Sequence, residues 1–188
     1  MKLSSTFLPV LLLLFIENLS LKANHNYSTS NCACDPIADS LELVAFFQNF
    51  DGDNWTDNTN WLVPGQPIQN WYGITVNVEG CVLKIEMENN KLHGALYDIN
   101  LPEMVELNLP INQITGTIPD FSHFPKLFKL ILSYNQLAGS VPDFSSLPDL
   151  ESLWLIWNQL SGPVPDFSSL PNLQFLCLYK NQLNGAIP

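Results

Sequence analysis

Three histidines, four cysteines and eighteen carboxylates are the groups through which this 188-residue chain could do acid–base, covalent or metal chemistry. Catalysis needs a nucleophile or an acid–base pair brought together with a means of stabilising charge. Glu86 and Glu88 stand two residues apart, so on a strand they share one face. A glycosidase pair instead flanks a cleft, and a solvated acidic rim is the expected role here. His25, His93 and His123 are scattered singly along the chain and are expected to face solvent. Asp51, Asp53 and Asp57 begin like a calcium loop, but Thr56 stands where the sixth-position Gly belongs and Leu62 where the twelfth-position Glu belongs. No Gly-x-Ser-x-Gly, phosphate-binding Gly-rich loop or His-Glu-x-x-His occurs. The expectation is a protein with no metal, no cofactor and no enzymatic activity.

The cysteines point to an oxidising compartment. Cys32-x-Cys34 lacks the two-residue gap of a zinc knuckle, and Cys81 and Cys177 form no second knuckle. The spacing leaves a disulfide from Cys34, or alternatively Cys32, to Cys81. Closing a loop of about 47 residues would stabilise the fold by roughly 4 kcal/mol on the chain-entropy model. Cys177 is expected to be a free thiol, small enough for an apolar setting. At the start of the chain Lys2 precedes an apolar run from Phe7 to Ile16, too short for the roughly 20 residues of a membrane span. It reads as a signal peptide cut near Ala23. No later stretch is long and apolar enough to span, so the mature segment is not expected to insert into a membrane. A net charge of −11 with only seven basic residues leaves no patch for nucleic acid or an anionic membrane. Asn26-Tyr-Ser28 and Asn54-Trp-Thr56 match the glycosylation sequon.

The elements that would hold any site are set by an internal repeat. Asn112, Asn135, Asn158 and Asn181 recur every 23 residues, as do Gly116, Gly139, Gly162 and Gly185, and a looser copy 22 residues earlier carries Asn90 and Gly94. Pro119, Pro142, Pro165 and Pro188 keep the same step, as do Phe121, Phe144 and Phe167. The shared pattern is Leu-x-x-Leu-x-Leu-x-x-Asn-x-Leu-x-Gly-x-(Ile/Val)-Pro. Its Leu153-x-Leu155 alternation is that of a strand with one buried face, and the Gly and Pro beyond it demand a turn. Each Asn is expected inside its coil, bonding backbone groups of its own coil and the next. An apolar replacement would leave those groups unpaired at about 1–3 kcal/mol each. The recurring Phe is expected to fill the convex side. Asp120, Asp143 and Asp166 beside the Pro positions are expected turn formers.

These residues resemble the leucine-rich-repeat family, in its plant-type variant, from about Val82 to Pro188. The resemblance implies an α/β repeat fold: a right-handed solenoid with a parallel β-sheet on its concave face and an N-terminal helical cap. Such coils lean only on their neighbours, so both ends need covering. Leu43, Phe46, Phe47 and Phe50 lie on one apolar helix face, with Asp39 and Glu42 as its capping box. Trp71-Tyr-Gly-Ile-Thr is similar to the family's cap, but Gln69 and Val76 replace its two cysteines. That departure admits a bacterial relative of the plant type as readily as a plant protein. The expected division is a signal peptide over 1–23, a mature N-terminal segment over 24–38, a cap over 39–81 and about five repeats over 82–188. No C-terminal cap follows Pro188, which predicts a fragment or early stop of a longer array.

On each strand the x positions would face out of the concave wall. They are Lys84, Glu86, Glu88 and Asn89; then Glu106, Asn108, Pro110 and Ile111; then Lys129, Ile131, Ser133 and Tyr134. The fourth strand adds Ser152, Trp154, Ile156 and Trp157, and the fifth Phe175, Cys177, Tyr179 and Lys180. The wall thus passes from acidic to aromatic. Tyr134, Trp154, Ile156, Trp157, Phe175 and Tyr179 form the candidate ligand-binding patch, since exposed Trp and Tyr are favoured at binding hot spots. The resulting expectation is a secreted or cell-surface recognition module for a peptide, protein or glycan. A structural or adhesive surface protein, or the ectodomain fragment of a longer receptor-like protein, is the alternative.

Overall fold

The computed structural model describes residues 34–186. The expected signal peptide, His25, the Asn26 sequon, Cys32 and Pro188 lie outside the described residues. A helix, α1 (Pro36–Asn49), leads into 11 short strands. Six of them build the main sheet in the order β1 (Ile74–Val76), β2 (Val82–Glu86), β4 (Glu106–Asn108), β6 (Lys129–Ile131), β8 (Ser152–Trp154) and β10 (Phe175–Cys177). β1 runs antiparallel to β2, and every later pairing is parallel. The register is strict, with Ile85, Leu107, Leu130, Leu153 and Leu176 side by side. One coil therefore stacks on the last with no slip, as a 23-residue repeat requires.

Beyond each Asn a second short strand forms where the sequence signalled only a turn. β3 (His93–Ala95) pairs with β5 (Gln113–Thr115), while β7 (Ala138–Gly139), β9 (Gln159–Pro163) and β11 (Gln182–Asn184) form a row of their own. The coils bring their Leu residues inward between the two layers. Leu153 and Leu155 are fully buried, as are Phe121 and Phe144, whereas Phe167 is half-buried. At the turns Asp120, Asp143 and Asp166 each accept from the amide two residues on, at 2.8–3.0 Å.

The Asn side chains tie the coils together, but toward the preceding coil and not the following one. Asn135 Oδ1 accepts from the Ile114 amide at 3.0 Å, and its Nδ2 donates to the carbonyls of Leu109 at 2.9 Å and Leu132 at 3.1 Å. Asn158 makes the same set with Leu137, Leu132 and Leu155. Asn112 reaches back to Leu92 and Met87, and Asn181 to Leu160 and Leu155. The direction follows from the backbone. The chain has just left its strand at the Asn, so the turn of the coil already laid down is the one within reach. Asn90, in the first coil, uses the cap instead, accepting from the Asp57 amide at 2.7 Å and donating to its carbonyl at 2.9 Å.

In the cap, α1 buries Leu43, Phe46, Phe47 and Phe50 as its sequence periodicity predicts. The rings of Phe46 and Phe47 meet Trp55 and Trp61, and Trp61 meets Trp71 at 4.8 Å. The helix starts earlier than the Asp39–Glu42 capping box implies. Asp35 is its cap, accepting from the Ile37 amide at 2.9 Å, with Pro36 in the first turn. Asp39 is buried instead, and its Oδ2 accepts from the Val82 amide at 2.8 Å, joining helix to first repeat strand. Burial raises its carboxyl above the ordinary range against the lowering effect of that bond. Cys34 and Cys81 are joined in a disulfide beside it. The helix then packs closely on the first coil, where a Cβ on Gly94 would overlap the Asn49 carbonyl.

The Asn ladder makes a direct prediction. Asn135→Leu leaves the Ile114 amide and the Leu109 and Leu132 carbonyls without their side-chain partner. It should lower the free energy of urea unfolding by about 3 kcal/mol or more. Asn181→Leu, at a half-exposed position, should cost less.

Candidate functional site

The outward face of the main sheet is a wall of four columns, each taking one residue from every coil. Pairing sets the first two: Lys84, Glu106, Lys129, Ser152, Phe175 and then Glu86, Asn108, Ile131, Trp154, Cys177. The strand then continues into Glu88, Pro110, Ser133, Ile156 and Tyr179. A final column, immediately before each Asn, holds Asn89, Ile111, Tyr134, Trp157 and Lys180. Every member of that last column has a left-handed backbone, with φ between 49° and 59°. A bulky side chain there costs about 1–2 kcal/mol, which the Asn bonds beside it offset.

Placement of the candidate residues is uneven. Tyr134, Trp154, Trp157, Phe175 and Tyr179 are exposed, Trp154 at 38% and Trp157 at 48%. Ile156 is not available: it is buried at 6%. Strict alternation cannot place both Ile156 and Trp157 outside, because adjacent strand residues face opposite ways. The backbone turns left-handed at Trp157, which carries that ring outward and leaves Ile156 enclosed by the coils on either side. Tyr179 occupies the same column in the last described coil and stays exposed. Ser133 is also buried, contrary to the outward position that alternation gives it.

The aromatic residues do not merge into one sheet of rings. Tyr134 stacks on Trp157 at 6.0 Å with planes 17° apart, and the Lys180 ammonium lies 5.2 Å from the centroid of the same indole. Trp154 belongs to a different column, between Ile131 and Cys177, and Phe175 lies beside Ser152. Among the described residues, Tyr134–Trp157 is the one ring–ring contact within the patch. Cys177 is a half-buried free thiol on the same wall.

Glu106 departs most from its expected exposure. It is buried at 3%, between Lys84 at 3.2 Å and Lys129 at 2.6 Å. Three consecutive coils are thus clamped through one carboxylate. Burial alone would raise its pKa, but hydrogen bonds and charge from Lys129 and Lys84 outweigh that and hold it below the ordinary glutamate range.

Groups with catalytic or metal potential stay apart. Glu86 and Glu88 are exposed on the open wall. His123 makes an exposed contact with Asp98 at 3.2 Å, and His93 is exposed near the cap. Asp51 accepts from the Asn54 amide side chain, while Asp57 accepts from the Thr59 backbone amide. Among the described residues, the one cluster with metal-ligand spacing is Cys34, Asp39 and Cys81, and its two sulfurs are bonded to each other. No helix among the described residues is long and apolar enough to cross a membrane.

No protein-family model and no curated protein matches the chain. Solved structures do match. The leucine-rich-repeat ectodomain of the receptor kinase SOBIR1 from Arabidopsis thaliana is 27% identical with a TM-score of 0.65, over 80% of this chain and 83% of that one. Pollen receptor kinase 3 is 31% identical with a TM-score of 0.64, over 78% of this chain and 73% of that one. The plant peptide hormone receptor RGFR1, in complex with RGF2, is 36% identical with a TM-score of 0.58; the match covers 63% of this chain but only 19% of that one.

The clamp predicts a pH dependence. A depressed folded-state pKa gives stability that is present above the unfolded pKa and lost as pH falls through the folded value. The stability difference between wild type and Glu106→Gln should therefore shrink as pH drops from neutral through the carboxylate range. Urea melts at several pH values measure this, and a constant difference would contradict the assignment.

Proposed function

Because the chain is a leucine-rich-repeat protein of the plant type, we propose that it is an extracellular recognition module, secreted or at the cell surface. It holds a peptide or protein on the aromatic half of its concave wall, and it is not an enzyme. The observation that carries this reading is the Tyr134–Trp157 stack with Lys180 over it, left open to solvent together with Trp154. Rigid aromatic area with a polar handle is what binding hot spots use, and soluble proteins rarely leave such patches open without a partner. The ectodomain and hormone-receptor neighbours support the same class of function.

The geometry favours a polypeptide over a glycan. A sugar ring stacks on a free aromatic face, yet Trp157 already carries Tyr134 stacked on it and the Lys180 ammonium over its ring. The indole N–H of Trp157 and the hydroxyl of Tyr134 are donors that suit backbone carbonyls. A second reading, favoured by the receptor-kinase neighbours, makes this segment the ectodomain of a longer receptor-like protein. The same wall would then be its recognition surface.

Peptides selected against the wild-type chain from a displayed random library provide the test. Their affinity for Trp154→Ala/Trp157→Ala should fall by about 30-fold or more, the loss of at least one aromatic hot spot. Both side chains are half-exposed, so the variant should melt within a few degrees of wild type. Equal binding by the two proteins would refute the face.

A further inference from the structure

We propose that the partner presents an acidic segment to this wall, with a carboxylate seated at Lys180 beside the Trp157 indole. The inference rests on the recognition reading above and adds the chemistry of the ligand. It starts from a separation of charge along the wall. Its carboxylates, Glu86, Glu88 and Glu106, all belong to the first two coils, and Glu106 is already matched by two lysines. In the third to fifth coils the four columns contain no Asp or Glu at all, only Lys129 and Lys180 as charged groups. The nearest carboxylate in sequence is Glu151, three residues before Trp154 and so roughly 10 Å along the strand direction.

Lys180 is the cation left to act. Lys84 and Lys129 are bound to Glu106, whereas Lys180 has no carboxylate partner among the described residues. Its ammonium is instead held over the indole face of Trp157, which fixes its position before any ligand arrives. On the same half of the wall, the indole N–H groups of Trp154 and Trp157 and the hydroxyls of Tyr134 and Tyr179 have no hydrogen-bond partner among the described residues. Indole N–H can only donate. This half of the wall therefore offers hydrogen-bond donors and one cation without a carboxylate partner among the described residues, in a chain whose net charge is −11. An acidic segment is repelled by the rest of the surface and admitted here, which is how like-charge repulsion creates specificity. A basic segment would be drawn instead to Glu86 and Glu88.

The displayed random library supplies the probe. Asp and Glu should be enriched among peptides that bind the wild-type chain through Trp154 and Trp157. These peptides should bind Lys180→Gln about tenfold or more weakly, the size expected on losing a hydrogen bond to a charged group. Lys180→Arg, which keeps the charge over the ring, should restore most of the affinity. Peptides that depend on Trp154 and Trp157 but carry no acidic residue would overturn the acidic partner and leave the recognition face standing. A selection without any binder that depends on those two tryptophans would overturn both.

Discussion

The solenoid depends on one repeated interaction, the bonding of a buried Asn amide to backbone groups stranded where each strand ends. A coil that turns out of a strand leaves an amide and two carbonyls pointing inward, away from water and from the sheet. Their cost when unpaired is about 1–3 kcal/mol each, comparable with what one buried Leu contributes. A single Asn has one acceptor and two donors, the inventory the turn needs. It takes the amide and one carbonyl from the preceding coil and one carbonyl from its own. Each coil is thereby locked to the one before it.

The same constraint produces the wall outside. To aim an Asn inward immediately after a strand, the residue before it adopts a left-handed backbone, as Tyr134, Trp157 and Lys180 do. Its side chain is carried outward at a fixed step from coil to coil. A column of buried amides inside therefore generates a column of aligned side chains outside, and Tyr134 stacking on Trp157 beneath Lys180 is its visible form. The wall is further braced by Glu106 between Lys84 and Lys129. At the open edge of the first coil, Asn90 and Asp39 carry the same logic into the cap by bonding across to Asp57 and Val82.

Much of this was legible in the residues. The Leu153-x-Leu155 alternation and the Asn spacing set strands, coil length and buried positions, because both reflect a period that the backbone must obey. The apolar face of α1 was legible for the same reason. What escaped were features fixed by direction or by contact between coils. An Asn is compatible with bonding forward or backward, and only the path of the chain out of the strand selects the preceding coil. Asp35-Pro36 was the stronger helix start than Asp39 with Glu42, since Pro fits the first turn and Asp39 was needed elsewhere. Ile156 was misplaced by extending strand alternation one residue too far, into the turn. The lysine clamp on Glu106 and the placement of Lys180 over Trp157 depend on lateral register, which a single repeat does not display.

Hydrogen exchange at the amides of Ile114 and Leu137 tests the central claim most directly, because their acceptors are the side-chain oxygens of Asn135 and Asn158. These amides should exchange only through global unfolding, with the same protection as Leu130 and Leu153 in the main sheet. Exchange at the rates of the exposed turn amides, while the strand amides stay protected, would contradict the account.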